Sequence, residues 1–188
     1  MDDALLVREF RRTGDEAHFK TLVERHRGPV FRLVLSILGS GHHGAAEELT
    51  QDVFLKVYRK VHQFRGDAKF GSWLYRIAYN QAVDYRSSVR FKAPHYGEEV
   101  LEGTASQRPE DNPHALASQA GTASAVQECL AELPHLYRSV LHLHYWMGMT
   151  VPEISETLSA PDGTVKSYMY RARAKLHILL AEKGISHD

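Results

Sequence analysis

Thr164, Lys166, Ser167, Tyr170, Arg171 and Arg173 crowd one short stretch of this 188-residue chain, with Lys175 close behind. Nothing in that set points to a covalent step. Cations, hydroxyls and a ring at helical spacing suit the reading of duplex nucleic acid: Arg and Lys reach guanine edges, and a Tyr ring can touch a thymine methyl. A second cluster has another mix. Lys69, Arg76, Arg86 and Arg90 lie among Phe70, Trp73, Tyr75, Tyr79 and Tyr85. Basic groups among rings suit unstacked or single-stranded nucleic acid, where rings receive bases and cations hold phosphates. The plain alternative is that Trp73 and several tyrosines are core. A third set, Glu48, Gln51, Asp52 and Lys56, shares a polar helix face opposite Leu49, Val53 and Val57. That face suits a protein partner.

Other chemistries find little support. There is no Ser/His/Asp constellation, no paired carboxylates and no Gly-rich phosphate loop, so the chain is not expected to be an enzyme. Its one cysteine, Cys129, allows no internal disulfide and no cysteine-based zinc site. It reads as a small residue half-buried on a helix. Twelve histidines invite a metal hypothesis. However, His42 and His43 are adjacent in a Gly-rich turn, and His142 and His144 point to different faces of a helix. No metal and no cofactor are expected. The N-terminus, MDDALLVREF, has no apolar signal region, and no run of about 18 apolar residues suggests a membrane span. A soluble cytoplasmic protein is expected.

The elements that must position these residues are helical. Phe19, Leu22, Val23, His26, Val30, Phe31, Val34, Ile37 and Leu38 keep a helical stripe, with Gly28-Pro29 read as a break or restart. Leu49, Val53, Phe54, Val57 and Val61 form another. Trp73, Leu74, Ile77, Ala78 and Val83 form a third. Residues 93–123 lose the pattern: three prolines, three glycines and few large apolar groups mark a linker. Periodicity resumes with Val126, Leu130, Leu133, Tyr137, Val140 and Leu141. Thr150 and Glu153 then have capping-box spacing. The first helix that they open buries Ile154 and Leu158. Pro161 suits the first turn of a second helix, Gly163 eases a tight approach, and Val165, Met169, Ala172 and Leu176 face inward. Two helices with a tight break make a helix-turn-helix. The reading is all-α: residues 1–92 and 124–188 as two small helical domains, joined by an acidic linker.

This division resolves a puzzle of charge. The chain holds 23 basic and 23 acidic residues. Residues 1–92 hold 16 basic and 11 acidic groups, a net of +5. The linker holds one basic and five acidic, a net of −4. Residues 124–188 hold 6 and 7, but four of those six basics fall between Lys166 and Lys175. Local charge decides phosphate binding, because fields are screened beyond about 8 Å at physiological salt.

Two motif sets, in order around the linker, resemble the extracytoplasmic-function group of bacterial sigma factors. The first set is Ala46-Glu47-Glu48-Leu49-Thr50-Gln51-Asp52-Val53-Phe54, Phe64-Arg65-Gly66-Asp67, and Phe70-x-Ser72-Trp73-Leu74-Tyr75-Arg76-Ile77-Ala78-x-Asn80, with Asp84 and the arginines after it. The second is Leu133-Pro134, Glu153-Ile154, Gly163-Thr164-Val165-Lys166-Ser167 and Arg171-Ala172-Arg173. The resemblance implies that Glu48, Gln51, Asp52 and Phe54 bind the clamp helices of core RNA polymerase. It implies that Lys69, Trp73, Tyr75, Arg76, Asn80, Asp84, Arg86 and Arg90 serve minus-ten DNA. There, Asn80 and Asp84, near a loop between two helices, would help hold an extruded base, whose flipping costs a few kcal/mol. It implies minus-thirty-five reading by Thr164, Lys166, Ser167, Tyr170 and Arg171, with Arg173 on phosphate. It further implies a linker threaded through the polymerase and control by an anti-sigma factor. Ser155, Tyr168 and Tyr79 depart from the family's common residues, Tyr168 removing a cation from the recognition helix. Three other readings compete. A helix-turn-helix repressor or activator would bind duplex DNA without polymerase. A helical adaptor would bind only proteins. A histidine metalloenzyme would purify with metal.

Overall fold

The computed structural model describes residues 1–88 and 123–185. Arg90 and nearly all of the acidic linker lie outside the described residues. Among the described residues there is no strand, in line with the all-α reading.

Four helices form the first bundle. Helix α1 spans Asp3–Thr13; the Asp2 carboxylate accepts from the Leu5 N–H at 2.8 Å and caps its start. Gly14 ends it at φ 70°, a conformation that glycine adopts without steric cost. Helix α2, Glu16–Leu38, starts at Asp15, whose carboxylate accepts from Ala17 N–H. Helix α3 covers His43–Lys60, a 3-10 turn follows at Val61–Gln63, and α4 covers Phe70–Ser87. The long α2 is the spine, contacted by α1, α3 and α4. Its Leu22, Val30, Leu33 and Val34 are fully buried with Val53 and Val57 of α3 and Leu74 and Ala78 of α4.

The expected break at Gly28-Pro29 does not occur: α2 runs unbroken through Pro29. Proline inside a helix costs about 3 kcal/mol through the lost N–H and the clash with the preceding turn. Burying each of Leu22, Val30, Leu33 and Val34 contributes about 1.5–3 kcal/mol. Packing on both sides of Pro29 therefore outweighs the local penalty.

The second bundle is built on one long helix. Helix α5 spans Ala123–Glu132, α6 spans His135–Leu141 behind Pro134, and a π-helical turn covers His142–Trp146. Helix α7, Val151–Leu158, opens with the expected capping box: Glu153 Oε2 accepts from Thr150 N at 2.7 Å and from its hydroxyl at 2.8 Å. Helix α8, Asp162–Glu182, is contacted by α5, α6 and α7. Its Val165, Met169, Ala172 and Leu176 are buried as the spacing predicts, with Leu180 extending the stripe. Ile154 is fully buried and Leu158 partly so. Cys129 is fully rather than half buried, and that burial pushes its thiol pKa up.

The turn between α7 and α8 differs in detail from expectation. Pro161 is the N-cap of α8, not a residue of its first turn. A side chain at Gly163 would meet open space, so no tight approach needs it. The strained residue is Ser159, at φ 52° in the left-handed region. Ser155 holds this turn by donating its hydroxyl to the Ala160 carbonyl.

The two bundles touch. Helix α2 lies against α6 and the π-helical turn, and α4 lies against α7.

Candidate nucleic-acid interface

The buried stripe of α8 fixes its rotation. Lys166 is exposed, and Thr164, Ser167, Tyr170, Arg171 and Arg173 are half-exposed on the remaining faces. The predicted reading surface is thus assembled on one helix at the start of the second helix-turn-helix element. Arg173 is tied back: its guanidinium donates to the Tyr145 hydroxyl at 3.2 Å. Tyr168 is also accounted for. Its ring packs against Tyr137, centroids 6.1 Å apart, and joins the rim of the core.

The aromatic cluster of α4 is corrected. Phe70, Tyr75 and Tyr79 are buried. Trp73 is half-buried, 5.3 Å from the ring of Phe64 and 5.9 Å from Phe70. Phe70, Trp73 and Tyr75 pack against Phe64 and His26, and Tyr79 is buried within reach of Tyr168 of α8, so these rings do not form an open platform for bases. Tyr75 has a specific partner. Its hydroxyl lies 3.0 Å from His26 Nδ1, and His26 Nε2 lies 2.8 Å from Asp3 Oδ2. A carboxylate only accepts, so Nε2 carries a proton directed at Asp3. Burial, with Asp3 nearby, pushes the Tyr75 hydroxyl pKa up to about 12. Three elements are thereby pinned together, and Tyr75 is unavailable to a base.

What α4 does expose is polar. Lys69, Asn80 and Asp84 are exposed; Arg76 and Arg86 are half-exposed. Asn80 and Asp84 sit one turn apart inside α4, not beside a loop.

On α3, Glu48, Gln51 and Asp52 are exposed. Phe54, assigned to the same docking surface, points inward and is 7% exposed, because it belongs to the apolar stripe with Val53 and Val57. Leu55 and Tyr58, which the sequence reading passed over, are exposed large apolar groups on this helix.

A cross-bundle contact was also missed. Ser72 donates to Glu153 Oε1 at 2.5 Å, and Arg76 pairs with Glu156. Burial alone would raise the Glu153 pKa, but bonds from Ser72 and Thr150, with Lys69 nearby, outweigh it and hold the carboxyl below its ordinary value. These partners are some 80 residues apart, and no periodicity reports on such a pair.

Two helical bundles, the second ending in a helix-turn-helix with an accessible basic face, define a two-part helical DNA-binding protein. Residues 22–91 match the model of sigma-70 region 2, and residues 123–176 match that of sigma-70 region 4. The chain is 32% identical over 171 residues to the ECF RNA polymerase sigma factor SigW of Bacillus subtilis, covering 87% of this chain and 89% of that one. It is 30% identical over 178 residues to the ECF RNA polymerase sigma-E factor of Escherichia coli, covering 92% and 91%. Among solved structures, it is similar to CnrH in complex with the cytosolic domain of CnrY, with a TM-score of 0.65, 25% identity and coverage of 96% and 97%. The sigma factor RpoE of Bartonella quintana, in complex with the anti-sigma factor NepR, shares the fold at a TM-score of 0.60 and 23% identity, over 87% and 96% of the two chains. The chain belongs to the extracytoplasmic-function sigma factors of the sigma-70 family.

Proposed function

We propose that this protein is a promoter-specificity subunit of bacterial RNA polymerase. Residues 1–92 bind core enzyme and minus-ten DNA, 93–123 tether, and 124–188 read the minus-thirty-five element. The observation that carries the reading is the ordered pair of sigma-70 regions, each lying on a bundle that presents polar groups outward. On α3, Glu48, Gln51 and Asp52 face the polymerase clamp. At the start of α4 and along it, Lys69, Trp73, Arg76, Asn80, Asp84 and Arg86 meet the minus-ten element, and Arg90 of the same set lies outside the described residues. On α8, Thr164, Lys166, Ser167, Tyr170 and Arg171 meet base edges, and Arg173 meets phosphate.

The protein acts by placement rather than by catalysis. It works in the cytoplasm, and no helix among the described residues is long and apolar enough to cross a membrane. An anti-sigma factor restrains it, a reading supported by the similar sigma factor RpoE of Bartonella quintana, solved in complex with the anti-sigma factor NepR.

The test is run-off transcription with purified core polymerase on a promoter library, with and without this protein. New discrete starts that depend on the protein are expected. Sequence-specific duplex binding by the protein alone, with no new starts, would move it to the repressors and activators.

A further inference from the structure

Arg173 lies on the face of α8 that carries Lys166 and Tyr170, two turns and one turn earlier. Its Nη1 donates to the Tyr145 hydroxyl at 3.2 Å, and both side chains are half-exposed. The tyrosine comes from outside the helix-turn-helix, on the π-helical turn that precedes α7. A phenol has one proton to donate and two lone pairs to accept with. Arg173 takes one lone pair, so the proton is turned away from the guanidinium. Among the described residues no acceptor meets that proton, and no carboxylate pairs with Arg173. The pair therefore presents donors, and what such a pair binds is an acceptor-only anion.

The phenol is held in place before any ligand arrives. A π-helical turn takes one residue more than an α-helical one, which re-aims the side chains at its end. Met147 N–H closes it on the His142 carbonyl at 3.1 Å, Gly148 turns the chain at φ 64°, and Met149 N–H returns to the Leu143 carbonyl at 3.0 Å. His144 is fixed in turn: its Nδ1 donates to the Met149 carbonyl at 2.9 Å, and its ring meets that of Tyr145 edge to face at 4.8 Å. Two donors that start ordered lose less side-chain freedom when they take a ligand.

Position selects phosphate over a base edge. In a helix-turn-helix the N-terminal residues of the second helix reach the bases, and flanking groups meet the backbone. Arg173 lies about three turns into α8, and Tyr145 lies off that helix altogether. We propose that Tyr145 and Arg173 together form a seat for one DNA phosphate at the edge of the minus-thirty-five element: the hydroxyl orients the guanidinium and donates its own proton to a second oxygen of the same phosphate. Donors 3.2 Å apart suit neighbouring oxygens of one group. The inference rests on the reading of α8 as the minus-thirty-five helix.

The test uses holoenzyme assembled from the full chain and core polymerase, on a promoter recovered by run-off transcription. Tyr145→Phe keeps the ring and removes the hydroxyl. Promoter affinity should fall about three- to tenfold, the range of one hydrogen bond. The factor should be the same for every minus-thirty-five variant, with little change in salt dependence, because no charge is lost. Arg173→Ala should weaken binding further and reduce the slope of log affinity against log salt by about one. In the Arg173→Ala background, Tyr145→Phe should cost less than about twofold, because the two residues act as a unit. Unchanged affinity in Tyr145→Phe would overturn the proposal. So would tighter binding, which would make the hydrogen bond a tether that withdraws Arg173 from DNA, and so would a loss confined to one base pair. A folding defect would weaken binding equally in both backgrounds, and that lack of coupling also counts against the seat. Lys166→Ala separates the seat from the underlying assignment. If Lys166→Ala and Arg173→Ala both leave promoter affinity unchanged, α8 does not read DNA. If they weaken it and Tyr145→Phe does not, the assignment stands and the seat fails.

Discussion

Arg171 sits one turn beyond Ser167 on α8 and is half-exposed, held outward by its buried neighbour Ala172. If it reads a guanine edge, Arg171→Ala should weaken binding to the preferred minus-thirty-five sequence by about 1–3 kcal/mol and relax specificity at one base. Competition binding with single-base variants checks this. Uniform weakening across sequences would make it a phosphate contact instead. Exposed residues of this kind were legible in the sequence because their helix declares its buried face every third or fourth position. Tyr75 and Phe54 were not. Their types suit either a surface ring or a core ring, and the choice depends on a partner far along the chain. For Tyr75 that partner is His26, 49 residues away. Likewise, nothing local marks Ser159 as left-handed, since glycine is the usual sign of that conformation.

Helices show the same division. The stripes of α3, α7 and α8, and the Thr150–Glu153 cap, were legible because cap chemistry and periodicity are local. The continuity of α2 was not, because proline argues locally for a break and only the buried residues on both sides argue against it. This gives a direct test. In a continuous helix, Pro29→Ala restores the N–H that can bond to the Arg25 carbonyl and removes the ring clash. The gain, up to about 3 kcal/mol, is reduced by about 1 kcal/mol because alanine leaves the unfolded chain freer. Chemical denaturation should show a net stabilisation of about 1–2 kcal/mol. A loss of stability would mean that the proline ring itself packs usefully, or that α2 needs a bend at this point. The α4 aromatics carry the complementary lesson. With α2 on one side and α7 on another, α4 has more than one covered face, so rings fill gaps that a single-stripe reading leaves to solvent.

At the scale of the whole molecule, neutrality conceals a division of labour. By sequence, a basic first bundle is followed by an acidic segment, and a nearly neutral second bundle concentrates its cations on α8. The contact between bundles adds a titratable element. Burial, with Arg32 of α2 and Arg138 of α6 nearby, pushes the His142 imidazole down to about 3 from an ordinary value of 6.5; Trp146 stacks on its ring. The closed arrangement therefore holds His142 neutral, while a separated, hydrated ring takes a proton near its ordinary value. The separated form binds the extra proton, so the contact keeps its full strength above about pH 6.5 and loses it progressively as pH falls below that value. The loss is at most about 1.4 kcal/mol per pH unit, and less if part of the burial lies within the second bundle. Glu153 also weakens the contact on acidification, since its pKa is lowered, but only below its ordinary value of 4.5. The window between pH 6.5 and 5 therefore isolates the histidine from that carboxylate. In that window the distance between bundles should lengthen in the unaltered chain and respond far less in His142→Asn. An equal response in both would assign the acid sensitivity to another group.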